Sequence, residues 1–121
     1  MLLADTSVWI DHFRKGNRRL AVALEEQDVA THPFVIGELA CGDLDDRREV
    51  LELLHRLPQA TVATDSELLE VIERRRLMGR GLGYVDVHLL AAALLSPLMK
   101  LWTLDAPLAR SAARIGVAPP A

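Results

Sequence analysis

The sequence opens on Met1-Leu2-Leu3-Ala4, a short apolar run that stops at a carboxylate, Asp5, followed by two hydroxyls, Thr6 and Ser7. An apolar run bounded by an acid and Ser/Thr predicts a buried strand handing over to a helix. Asp5 then lies at the carboxyl end of a strand and at a helix N-terminus. Open α/β sheets form their ligand sites at that edge. Taken alone, Asp5 equally suits a plain N-cap, a position that Asp favours. Its meaning depends on what the rest of the chain brings to it.

Residues 6–14 read as a helix carrying Val8, Trp9, Ile10 and Phe13, broken by Gly16-Asn17. A second helix, 18–27, aligns Leu20, Ala23 and Leu24 on one face. Val29-Ala30-Thr31 predicts a brief strand, closed by His32-Pro33 because the residue before Pro is pushed to extended geometry. A third helix starts near Pro33, and a fourth, 45–57, shows Val50, Leu53, Leu54 and Leu57 at helical spacing. Ala60-Thr61-Val62-Ala63 suggests a third strand. Asp65-Ser66-Glu67 opens a fifth helix, and Gly79–Gly83 is a loop. A sixth helix runs from near Val85 to Ser96-Pro97, a fourth strand lies within Leu98–Leu104, and a last helix opens at Asp105-Ala106-Pro107. Val117-Ala118 offers a fifth, edge strand. Strands alternating with helices imply crossovers and a parallel sheet. The expected fold is therefore α/β, a small parallel sheet of four to five short strands flanked by about seven helices, in one domain spanning residues 1–121.

A chain of 121 residues, half of them hydrophobic, buries a core without staples. The one cysteine, Cys41, excludes an internal disulfide and a cysteine-based zinc site, and reads as a small buried side chain. The apolar run Leu89–Leu95 is too short to span a bilayer. The N-terminus lacks the basic region of a signal peptide, so a cytoplasmic location is expected. A net charge of −3 argues against a simple electrostatic nucleic-acid binder. It leaves room for an enzyme whose acids gather under metal: with four carboxylates in one site, the remainder carries −3 + 4 = +1.

Three further acids stand out. Glu38 lies on a helix in Val35-Ile36-Gly37-Glu38-Leu39, and Asp86 in the first turn of an otherwise apolar helix. Asp105 ends the fourth strand in Leu101-Trp102-Thr103-Leu104-Asp105. Singly, each has an ordinary use as a cap, a dipole partner or a solvated position. Jointly, Asp5 and Asp105 end strands on the same edge, and Asp86 can face it. Four such carboxylates cannot all ionise without a counter-charge. Hard divalent cations with oxygen ligands supply one, and a carboxylate cluster holding Mg²⁺ or Mn²⁺ suits phosphodiester hydrolysis. Thr103 faces the same way as residue 105 in an extended strand. With Thr6 and Ser7, its hydroxyl can hold an acid or a water, backbone capping being the alternative. His12, His32, His55 and His88 show no metal-ligand spacing and read as structural or surface residues.

At these four segments the chain resembles the PIN-domain family, and within it the VapC-type ribonuclease toxins of toxin–antitoxin pairs. The matching pieces are Leu3–Asp11, Val35–Leu39, Val85–Ala91 and Leu101–Asp105. The resemblance implies a Mg²⁺- or Mn²⁺-dependent endoribonuclease with one or two ions, leaving a 5′-phosphate and a 3′-hydroxyl. Asp5, Glu38 and Asp86 match the family's three core acids, and Asp105 its more variable fourth. It further implies an RNA substrate (tRNA, rRNA or mRNA), a homodimer, and a cognate VapB-like antitoxin whose helix lies in an apolar groove of the early helices. Arg76 and Arg80, in the densest basic stretch, are candidate RNA contacts beside Asp86. Two rivals remain. A catalytically silent PIN-like module would bind RNA or protein without turnover. A phosphorelay receiver would need paired acids after the first strand, where Asp5 is followed by Thr6.

Overall fold

In the computed structural model, which describes residues 1–121, the opening apolar run is strand β1 (Leu2–Ala4). It is the middle strand of a parallel sheet in the order β2-β1-β3, with β2 at Val29–Ala30 and β3 at Lys100–Trp102. Leu3 pairs with Ala30 on one side and Leu101 on the other. A parallel strand covered on both faces needs apolar residues at successive positions. Leu3, Ala4, Val29, Ala30, Leu101 and Trp102 are accordingly buried.

Seven helices complete the fold, as the sequence predicts: α1 (Thr6–Lys15), α2 (Arg18–Glu25), α3 (Pro33–Ala40), α4 (Arg47–Arg56), α5 (Asp65–Arg75), α6 (Tyr84–Leu95) and α7 (Ala106–Arg114). Their starts are set by capping side chains. Asp5 caps α1, Asn17 caps α2 through Leu20 N–H at 3.0 Å, and Thr64 with Glu67 forms a capping box on α5. Helix α6 packs on β3 and buries Val87 through Ala93 without a polar stripe. Such a helix is hydrophobic all round because it is enclosed all round. No helix is long and apolar enough to cross a membrane.

The sheet has three strands, not four or five. Ala60–Ala63 forms no strand: Thr31 and Gln59 make a single parallel bridge, with Thr31 N–H on Pro58 O at 3.0 Å and Ala60 N–H on Thr31 O at 2.7 Å. The chain then peels away to its cap at Thr64. Val117 accepts one hydrogen bond from Leu101 N–H at 2.8 Å, and the two prolines that follow carry no N–H to continue a ladder. Helix α4 starts two residues later than expected, because Asp46 takes a left-handed conformation (φ 51°). Of its apolar row only Leu54 is buried, while Leu53 faces solvent. Cys41 is exposed rather than buried, since it follows the last turn of α3.

Candidate active site

The connection out of β1 runs to β2 on one side, and the chain then returns past β1 to β3 on the other. Such a reversal opens a crevice at the carboxyl ends of the two strands. Asp5 leaves β1 there, and Asp105 follows β3.

Asp5 is only 5% exposed, and the hydroxyls beside it explain how a carboxylate is kept there. Oδ1 accepts Ser7 Oγ–H at 2.5 Å, Ser7 N–H at 3.0 Å and Val8 N–H at 3.4 Å. Oδ2 accepts Thr103 Oγ1–H at 2.7 Å. Ser7 also reaches the opposite strand end, while Thr103 closes the turn after its own strand. Ser7 Oγ accepts Leu104 N–H at 2.9 Å, and Thr103 Oγ1 accepts Asp105 N–H at 3.0 Å. Two hydroxyls thus stitch the end of β1 to the end of β3 and fix Asp5 between them. Burial raises the Asp5 carboxyl above its ordinary value, and the hydrogen bonds from Ser7, Thr103 and Val8 oppose that rise.

Asp86, in the first turn of α6, turns Oδ2 back onto Gly83 N–H at 2.8 Å. Its carboxyl is raised chiefly by burial, against which the Gly83 bond acts, with the charges of Asp105 and Asp5 adding to the rise. Those charges place the three carboxylates in one field. Asp105 caps α7 through Oδ2 on Leu108 N–H at 3.1 Å. Glu38 is exposed on α3 and accepts Thr6 Oγ1–H at 2.7 Å. All three therefore cap or anchor with one oxygen and keep a second that takes no hydrogen bond from the chain. The capping use and the site use of these acids are not exclusive.

Carboxylate oxygens in a shared negative field are the donor set of a hard divalent cation. No three of the His, Cys, Asp and Glu side chains are placed to hold a metal ion between them. An open arrangement suits Mg²⁺, which keeps several waters and takes only one or two carboxylates. The residues present fit such an ion.

Two clefts flank the acids. One, of about 610 Å³, runs from Glu38 past Ile10, Phe13, Leu39, Leu44 and Val50. The other, of about 510 Å³, lies between the Gly79-Arg80 turn and α7. Arg80 lines it, whereas Arg76 contributes its carbonyl oxygen to Arg80 Nε at 2.6 Å. The sequence reading missed Arg110 and Arg114, which line the same cleft. Their signal was present, as two like charges one turn apart on a helix without acids between them. Of the histidines, His32 and His88 are buried against Phe34, and Tyr84 meets His88 edge to face. His12 and His55 hydrogen-bond local backbone groups. None of the four belongs to the acid cluster.

A short parallel sheet with helices around it, and acids at the ends of its central and third strands, defines the class. Residues 2–113 match the family model of the PIN domain, and the chain belongs to that family. Its relatives narrow the comparison. It is 47% identical over 118 residues to Ribonuclease VapC32 of Mycobacterium tuberculosis, from both strain CDC 1551 / Oshkosh and strain ATCC 25618 / H37Rv. Each match covers 98% of this chain and 95% of the relative.

Proposed function

We propose that this protein is a VapC-type toxin that hydrolyses phosphodiester bonds in RNA, using a divalent metal held by Asp5, Asp86 and Asp105, with Glu38 binding directly or through water. The observation that carries this reading is that Ser7 and Thr103 tie Asp5 to the backbone leading into Asp105 at the switch in strand order, with Asp86 near enough to feel both charges. The 47% identity to a ribonuclease supports it. When bound, Mg²⁺ or Mn²⁺ supplies a Lewis acid for the phosphoryl group and lowers the pKa of a water. The chain's own part is to hold the ligands still. Ser7 and Thr103 fix both oxygens of Asp5, Gly83 fixes Asp86, and the α7 N-terminus fixes Asp105. Thr6 holds Glu38 at the border of the apolar cleft.

That cleft takes an apolar helix of a VapB-like antitoxin on this reading, whose seat beside Glu38 would deny RNA access to the acids. The same reading makes the toxin a cytoplasmic homodimer. Cleavage of RNA by the purified protein, with Mg²⁺ or Mn²⁺ and with a chelator, tests the activity. Cleavage should require the metal and fall by at least about a hundredfold in Asp5→Asn, since metal polarisation contributes several kcal/mol and 1.36 kcal/mol is tenfold. RNA binding without metal-dependent cleavage would instead leave a silent binding module.

A further inference from the structure

The cleft between the Gly79-Arg80 turn and α7 carries chemistry that the metal site does not use. Gly79, Arg80, Pro107, Arg110, Ser111 and Arg114 line it, with no carboxylate among them. Elsewhere the chain pairs helix arginines with acids, as Arg56 with Glu52 and Arg74 with Glu70. Arg80, Arg110 and Arg114 have no such partner. Arg110 and Arg114 stand at i and i+4 on α7, an arrangement that destabilises a helix unless something offsets the repulsion. In a chain of net charge −3, three unpaired guanidinium groups in one cleft are a local reversal of sign.

Two of the three are held from behind. Arg80 Nε donates to Arg76 O at 2.6 Å, and Arg114 Nη2 donates to Arg75 O at 2.7 Å. Both retain further N–H groups for a ligand. The Arg110 guanidinium donates no hydrogen bond to the chain and is exposed. The turn lies close on α7, since a Cβ at Gly81 would sit 3.7 Å from Pro107 Cβ. Pro107 is two residues from Asp105, so the cleft adjoins the acids. Along the axis of α7, Arg110 and Arg114 lie about 7.5 and 13.5 Å beyond Asp105. Protein interfaces centre on apolar side chains, which this cleft lacks. Interfaces with nucleic acid are polar and strongly positive.

We infer that the Arg80–Arg110–Arg114 cleft binds backbone phosphates of the RNA on one side of the bond to be cut, with Arg110 as a positioning residue. This rests on the nuclease reading for its role but not for its measurement. Binding of a labelled, unstructured oligoribonucleotide is followed by fluorescence anisotropy in chelator, over a range of salt. One lost phosphate contact on a single strand lowers the slope of log K against log salt by about 0.7. Over one decade of salt below 1 M that slope is worth about fivefold, the weakening expected of Arg110→Ala near 0.1 M. Arg110→Lys should restore most of it, and the melting temperature of Arg110→Ala should not fall, since the change removes a like-charge pair from α7. With metal, Arg110→Ala should raise KM and leave kcat unchanged.

An unaltered salt slope in both Arg110→Ala and Arg80→Ala overturns the inference, even if the native protein cleaves RNA. So does an acidic peptide that binds with this Arg110 dependence while RNA does not. If the native protein fails to cleave but Arg110→Ala weakens metal-free RNA binding, the nuclease reading falls and the cleft stands.

Discussion

Asp86 illustrates what one residue is asked to do. Its carboxyl is desolvated and faces the charges of Asp105 and Asp5, yet it also closes the first turn of α6. Asn in its place keeps an oxygen for Gly83 N–H and removes the charge. Asp86→Asn should therefore match or exceed the native melting temperature in chelator, while abolishing cleavage in metal. A drop of several degrees would make Asp86 a cap before anything else. His32 makes a second prediction. It is fully buried, and its Nδ1 accepts Phe34 N–H at 2.9 Å, so the neutral ring is built into the start of α3. Burial, with His88 beside it, lowers its pKa from 6.5 to about 4. Between those values the unfolded chain binds a proton that the folded chain refuses. Stability is then complete above the unfolded value and lost as pH falls towards the folded one, by at most about 3 kcal/mol. Urea unfolding across that window should show a falling midpoint, and His32→Asn should flatten it. Asp5 was legible from the sequence because an apolar run that stops on an acid marks a strand end, whereas β3 ends at Trp102 and Asp105 caps α7 three residues beyond the strand it was expected to end. Arg110 carried only the faint signal of its like-charged neighbour Arg114, because a charge on an amphipathic helix looks like any solvated position until the turn facing it is known.

At the scale of elements, capping residues gave the boundaries and pairing did not. Thr64 and Glu67 announce α5, and the reciprocal bonds are present at 2.8 and 3.2 Å. Thr64→Ala should cost about 1 kcal/mol, a fall of roughly 3–6 °C in melting temperature for a chain of this size. RNA cleavage at lower temperature should be unchanged, since α5 contributes no acid to the cluster. Ala60–Ala63 fooled the pattern for a definite reason. Its residues favour extended backbone, but an extended segment becomes a strand only if a neighbour offers a ladder, and β2 ends after two residues. Leu53 misled in the same way. Helical spacing identifies a face, and the width of the surface it meets decides how much of that face is covered.

For the molecule as a whole, the proposed metal site makes the acids a cost in the absence of metal and a source of stability in its presence. An ion that binds only the folded chain adds RT ln(1 + [L]/Kd), about 2.7 kcal/mol at a hundredfold excess over Kd. Mg²⁺ should raise the melting temperature of the native protein, with a smaller rise in Asp105→Asn and none in Asp5→Asn. An equal rise in all three would mean that the ion binds elsewhere. The hydroxyl bond from Thr103 to Asp5 joins residues 98 positions apart, and the central strand waits equally long for its partner at Lys100–Trp102. A growing chain therefore carries Asp5 with only its local bonds to Ser7 and Val8 until Thr103 has been made. Contacts of such sequence separation form late. A fragment ending before β3 has neither the pairing for β1 nor Thr103 and Asp105. On the proposed reading, the acid cluster is assembled on the ribosome only after residue 105 has been made, so a chain still short of that point cannot cut the RNA around it.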